Sequence, residues 1–196
     1  WLKFSRRMWQ HPKKFKSYFN EAREPGKNLP FGTKYIKHHH SHALAGCATA
    51  PFDKGVFLTI DAIGEWNSTS WGTFTHEDGP RTDGTINYPH SLGLLYSSFT
   101  RWVGLKPNED EYIVMGAAAY GKPIYKSFIY KHFIKISPDG TYKLKKNLHR
   151  GVEEHMRSAC PVKNWYDWCA SIQEVAEEII LSLISMLKKK YPKITN

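Results

Sequence analysis

The chain has three cysteines, Cys47, Cys160 and Cys169, and no two of them stand in a Cys-x-x-Cys spacing. An odd, widely spaced set excludes a disulfide framework and a zinc ribbon, and it points to a reducing, cytoplasmic compartment. Long apolar runs are also missing. The longest stretch, 179–187, is broken by Ser182 and Ser185 and falls far short of the ~20 residues that span a bilayer. There is no internal repeat, and the only low-complexity tract is a cluster of histidines. Aromatic and apolar residues are plentiful: 14% and 41% of 196 residues. That composition is globular, with chain enough for one sizeable domain or for two lobes around a cleft.

Negative charge is scarce at one end. Residues 1–37 hold ten Lys/Arg against two acidic groups, a net of +8, whereas the remainder holds eighteen against sixteen, a net of +2. The basic segment also carries Trp1, Phe4, Trp9, Phe15, Tyr18 and Phe19. Such a segment can grip a nucleic-acid backbone and stack on bases. No nucleic-acid motif accompanies it, and an amphipathic surface element with lysines turned to water explains the same residues.

Pattern along the chain predicts alternating helices and strands. A loop rich in Pro and Gly covers 24–32, and "TKYI" reads as a short strand. Small residues from His38 to about Ala50 suit a helix packed closely on a neighbour. "VFLTID", 56–61, has the β-branched character of a buried strand, and "AIGEWNSTS" reads as a polar turn before a second strand and a hairpin-like turn. Ser91 starts a helix over 91–104, with Leu92, Leu95, Phe99 and Val103 on one face. "NEDEYIVMGAAAYGKP" has a helix start and a Gly-Lys-Pro stop, and Pro-Asp-Gly turns a hairpin within "FIKISPDGTYKLKK". The strongest helix is 165–190, with an apolar stripe of Ile172, Val175, Ile179, Leu183 and Leu187 and lysines at its C-terminus. The mixture is α/β.

The histidine cluster raises the chemical question. "KHHHSH", 37–42, crowds four of the ten histidines into five positions. On a helix His38 and His42 share one face at i, i+4, so both imidazoles can meet one metal ion, while His39 and His40 point elsewhere. Two histidines make a weak site, and a carboxylate would complete it with positions open for substrate. Asp61 stands at the carboxyl end of the predicted strand, where α/β folds place ligand-binding groups, and a turn with Gly64 and Glu65 follows. The plainer explanation is a helix start with hydrogen-bonded histidines. If Asp61 is a metal ligand, it is an uncompensated charge in the metal-free protein, and Asp61→Asn should leave apo stability unchanged or higher.

Four blocks, "HHHSHALAGCATAPF", "FLTIDAIGEW", "YPHSLGLLYSSFT" and "NEDEYIVMGAAAYGKP", resemble in order and spacing the O-carbamoyltransferase family of nodulation-factor and antibiotic biosynthesis. The resemblance implies a two-lobed actin-like ATPase (RNase H-like) fold, with a mixed sheet and flanking helices. Residues 1–54 would end the first lobe and 55–196 would form part of the second. It further implies a divalent metal, Fe2+, held by His38, His42 and Asp61, and a nucleotide side lined by Gly64 and Glu65. ATP and carbamoyl phosphate would be co-substrates of the full enzyme, which passes the carbamoyl group from carbamoyl-adenylate to the hydroxyl of a small-molecule acceptor. The family's opening His-Asp-Ser-Ser turn, its later Gly-Gly loop and the C-terminal domain that makes carbamoyl-adenylate have no counterpart in these residues. An internal portion of a longer enzyme is therefore expected, with that domain as partner and no membrane.

Departures from the family pattern occur at Ala62, where glycine is usual, at Ile113, where lysine is usual, and in "MGAAAYG" for Met-Gly-Leu-Ala-Pro-Tyr-Gly. They keep open the alternative of a non-catalytic homologue that binds RNA or an acidic partner through its basic segment. His90 reads as a structural turn residue, and Glu111 and Tyr112 as either core hydrogen-bonding or substrate-contacting groups.

Overall fold

The structure, a computed structural model, describes residues 36–156 and 164–194. The basic segment up to residue 35, its Pro/Gly loop and all but the last residue of the expected "TKYI" strand lie outside them. Helix α1 (His38–Ala48) comes first. Strands β1 (Lys54–Gly64), β2 (Asn67–Thr75) and β3 (Gly79–Asn87) follow as one sheet in the order β1-β2-β3. Then come α2 (Leu92–Trp102), α3 (Glu111–Ala118), α4 (Lys126–His132), the hairpin β4 (Ile134–Ile136) and β5 (Tyr142–Leu144), α5 (Glu153–Met156) and the long α6 (Trp165–Lys190). The architecture is a mixture of helices and small sheets.

Among the described residues both sheets are antiparallel, where a mixed sheet was expected. The reason is connection length. Two residues link β1 to β2 and three link β2 to β3, whereas parallel neighbours need a crossover of a dozen residues or more. The polar turn expected over 62–70 shrinks to Glu65 and Trp66, because β2 begins at Asn67. Its hydroxyl residues are buried strand positions with partners. Thr69 Oγ1 lies 3.0 Å from Tyr142 Oη, Ser70 Oγ 2.6 Å from Thr59 Oγ1, and Ser68 Oγ, which donates to the His90 carbonyl, also lies 3.1 Å from the Ile86 carbonyl.

The three-stranded sheet buries its two faces differently. Val56, Leu58, Ile60 and Trp71 turn to the main core, where α2 supplies Leu92, Leu95 and Phe99 and α6 supplies the predicted stripe. Ile172, Val175, Ile179, Leu183 and Leu187 are all buried there. Trp168 at the base of α6 is fully buried and stacks on Tyr125 at 4.0 Å between ring centroids. Phe57 and Phe74 turn the other way, onto Ala43 and Cys47 of α1 in a smaller cluster. Cys47 and Cys169 are free and buried. Small residues on α1 let it lie close to the sheet, as the sequence suggested.

Ser91 starts α2 as predicted: its hydroxyl accepts from Leu94 N at 3.0 Å. The same Oγ donates to the Ala62 carbonyl at 2.6 Å, with the Asp61 carbonyl at 3.3 Å. Those two residues belong to a bulge in β1. Ile60 pairs with Thr69 and Gly64 with Asn67, so Asp61, Ala62 and Ile63 stand opposite Ser68 alone. A bulge bends its strand and re-aims a side chain. Among the described residues no helix is long and apolar enough to cross a membrane.

Truncating the α6 stripe tests this core. Ile179→Ala is expected to cost about 2–5 kcal/mol, read from denaturant unfolding. Leu181→Ala, at a site 60% exposed two residues on, should stay within ~0.5 kcal/mol.

Candidate metal centre

Asp61 lies in the β1 bulge, three residues before the strand ends rather than at its last position. On the face of β1 that carries Phe57 and Thr59, it meets the first turn of α1. His38 Nε2 is 2.6 Å from Asp61 Oδ2, His42 Nε2 is 3.5 Å from the same oxygen, and the two Nε2 atoms are 2.9 Å apart. The i, i+4 spacing therefore brings the two imidazoles together, and the strand brings the carboxylate to them. One ligand atom from each residue falls within 4.8 Å of the other two, and the grouping is open to solvent on the histidine side.

Protonation chemistry explains what this grouping suits. To donate to Asp61, His38 Nε2 must carry a proton, and it then has no in-plane lone pair for His42 Nε2. One proton cannot serve all three contacts. A cation among the three atoms would use a lone pair from each. Ligand bonds of ~2.1 Å at right angles would set the three atoms about 3 Å apart, as in a facial two-histidine, one-carboxylate site. The residues present fit a divalent ion of that class.

Burial pushes the Asp61 carboxyl up, but the His38 hydrogen bond, the Ala62 N–H and the charges of His38 and His42 outweigh it. The net effect holds the group below the ordinary carboxylate value. Ala62 N donates to Asp61 Oδ1 at 2.6 Å. Asp61 thus has hydrogen-bond partners even without an ion, which argues against the expectation that Asp61→Asn would leave apo stability unchanged or higher.

The sequence reading missed His39. It is buried, with both ring nitrogens engaged: Nε2 lies 2.9 Å from the Asn67 carbonyl and Nδ1 2.8 Å from Thr59 Oγ1. Burial pushes its pKa down, so the ring stays neutral. A buried histidine beside two open ones has no periodicity signal of its own. The only hint was that positions 39 and 43 share a face and Ala43 is apolar.

Gly64 lies beneath the two rings. A Cβ there would come within 2.3 Å of His38 Cδ2 and 2.6 Å of His39 Cδ2, so a side chain at 64 would push both rings aside. Glu65 follows in the turn with φ 60°. His90 is tied by its backbone, donating from N to the Asn87 carbonyl at 3.0 Å and accepting from Ser68 Oγ at its own carbonyl, in keeping with a turn residue. Glu111 Oε1 accepts from Ser97 Oγ at 2.5 Å and Asn108 N at 2.7 Å. Tyr112 beside it is exposed.

With this geometry in view, comparison with known proteins is decisive for kinship. A family model described as "Carbamoyltransferase N-terminus" matches residues 27–196. The chain belongs to that family. It is 34% identical over 174 residues to the uncharacterized protein sll1178 of Synechocystis sp., covering 80% of this chain and 28% of that one. Nodulation protein NolNO of Sinorhizobium fredii is 29% identical over 171 residues, 83% of this chain and 25% of that protein. Nodulation protein NolO of Bradyrhizobium diazoefficiens is 27% identical over 161 residues, 79% and 29% respectively. The chain spans between 25% and 29% of the length of these relatives.

The metal-free protein should show the Asp61 charge in its melting. Because the folded pKa is depressed, the stabilisation is complete above the unfolded value of ~3.9 and is lost as pH falls through the folded value. Asp61→Asn is therefore expected to melt below wild type at neutral pH, with the gap narrowing as melts are run at progressively lower pH. A gap that does not change with pH would contradict the depressed pKa.

Proposed function

We propose that these residues form part of a carbamoyltransferase and hold its divalent metal, Fe2+, through His38, His42 and Asp61. One observation carries the reading: three ligand atoms from a helix and a strand converge within 4.8 Å in a chain of the carbamoyltransferase N-terminal family. When bound, the ion would act as a Lewis acid toward carbamoyl and phosphate oxygens. His38 and His42 would each offer one ring nitrogen. Asp61 supplies negative charge through Oδ2 while Ala62 N–H fixes Oδ1. The open histidine side leaves room for substrate.

The reaction proposed is carbamoyl transfer from carbamoyl-adenylate. The acceptor oxygen forms a bond to the carbamoyl carbon, the bond from that carbon to the adenylate phosphate oxygen breaks, the acceptor hydroxyl loses its proton and AMP leaves. Gly64 and Glu65, directly after the bulge, would line the nucleotide side. In this reading residues 1–54 and 55–196 belong to successive lobes of an actin-like fold, working in the cytoplasm. ATP and carbamoyl phosphate would be consumed by a C-terminal domain of the longer protein. The alternative, a non-catalytic homologue binding RNA or an acidic partner, rests on a basic segment almost wholly outside the described residues. A steep salt dependence of RNA binding would be its signature.

Metal titration of the purified chain tests the ligand set. His38→Ala and His42→Ala are each expected to weaken Fe2+ or Co2+ binding at least about tenfold, judged by the effect of even outer-shell changes at metal sites. His40→Ala should leave it near wild type, and equal losses in all three would mark a non-specific histidine cluster. A second expectation concerns activation. Given ATP and carbamoyl phosphate, these 196 residues alone should release no pyrophosphate above background, and clear release would overturn the division of labour.

A further inference from the structure

We propose that His39 is the positioning residue of the His38–His42–Asp61 centre, the group that fixes α1 over the β1–β2 hairpin so that ligands from two elements meet. The proposal rests on the reading of those three residues as metal ligands. His38 and His42 ride on α1 and Asp61 on β1, so the geometry of the centre is the geometry of one helix against one hairpin. Apolar packing alone leaves that geometry loosely set. The buried apolar contacts below α1 are Ala43 and Cys47 on Phe57 and Phe74, small against flat, and dispersion has little directional preference.

His39 supplies direction. The Asn67 carbonyl only accepts, so His39 Nε2 must carry the proton, and Nδ1 is then an acceptor for the Thr59 hydroxyl. With its own proton committed, Thr59 Oγ1 accepts from Ser70 Oγ at 2.6 Å. Ser70 Oγ also stands 3.3 Å from His39 Nδ1 and the Ser70 carbonyl 3.3 Å from Thr59 Oγ1, so two hydroxyls enclose Nδ1 while Nε2 holds Asn67. The anchors of His39 stand on either side of the bulge: Thr59 is two residues before Asp61, and Asn67 opens β2 opposite Gly64. At the metal end of α1 this one imidazole therefore ties the helix to both strands, while His76 Nε2, 3.1 Å from the Cys47 carbonyl, holds the far end. The His39 ring centroid is 5.9 Å from that of His38 and 6.1 Å from that of His42. Gly64 gives it the necessary clearance.

The test uses Co2+ as the probe ion and the full 196-residue chain, measuring affinity, the visible absorption of bound Co2+ and the metal-free melt. His39→Phe keeps a flat ring and loses both hydrogen bonds. It is expected to weaken Co2+ about 10–100-fold, the usual effect of outer-shell changes, and to alter the absorption bands. His39→Gln, which can still donate to Asn67, should recover part of the affinity. A merely structural role would lower the melt and leave affinity and bands as in wild type, and a folded His39→Phe protein behaving so would overturn the proposal. If His39→Phe does not fold, Thr59→Val decides: weaker Co2+ with shifted bands supports the positioning role, and wild-type behaviour overturns it. Wild-type affinity in His42→Ala would instead overturn the ligand assignment, and the positioning role with it.

Discussion

Strand β1 is buried on both faces, and its two covers are chemically unlike. One face sends Val56, Leu58 and Ile60 into the main core under α2 and α6, an apolar contact that needs no particular orientation. The other sends Phe57, Thr59 and Asp61 toward α1, grading from apolar to hydroxyl to charge within five residues. Period-two alternation fixes this division, because a slip of one residue would exchange the faces. Burying Asp61 in the main core would then cost several kcal/mol unpaired. Strand register, helix placement and the position of the carboxylate are thus one constraint.

How much of this could be read from the sequence follows from the same division. The stripes of α2 and α6 repeat every three or four residues and end in recognisable signals, Ser91 at one start and three lysines at the other finish. The limits and buried stripe of α6 came out as expected; α2 runs from Leu92 to Trp102, with Leu92, Leu95 and Phe99 buried and Val103 half-buried just past its end. Helices α4 and α5 have seven and four residues, too few for a period to stand out. The first half of β2 was hidden for a different reason. Its Ser68, Thr69 and Ser70 look like turn residues, and only partners distant in sequence, Ile86 and Tyr142 among them, make burial affordable.

The site divides in a similar way. The i, i+4 pair and the strand aspartate are local patterns, and they were legible. His39 was not, because helical spacing says which residues share a face and nothing about what the other faces meet. A histidine buried with both nitrogens engaged and one that faces solvent are the same letter. The distinction lies in Thr59 and Asn67, some twenty and twenty-eight positions away, and no reading of a single helix contains them.

The bulge also bears on the departure at Ala62. What the fold draws from residue 62 is its backbone: the N–H donates to Asp61 Oδ1 and the carbonyl accepts from Ser91 Oγ. Any residue but proline supplies both. Its φ is not in the left-handed region, the described non-glycine exceptions being Glu65 and Asn108, so glycine's conformational freedom is not required there. The close approach is made from the opposite side, by Gly93 of α2, where a Cβ would come within 2.8 Å of Ala62 N and Cα. Glycine is needed where the helix meets the strand, and at that position the chain keeps it. An alanine at 62 therefore leaves intact the hydrogen bonds that hold Asp61, and the substitution gives no structural ground for regarding the carboxylate as misplaced.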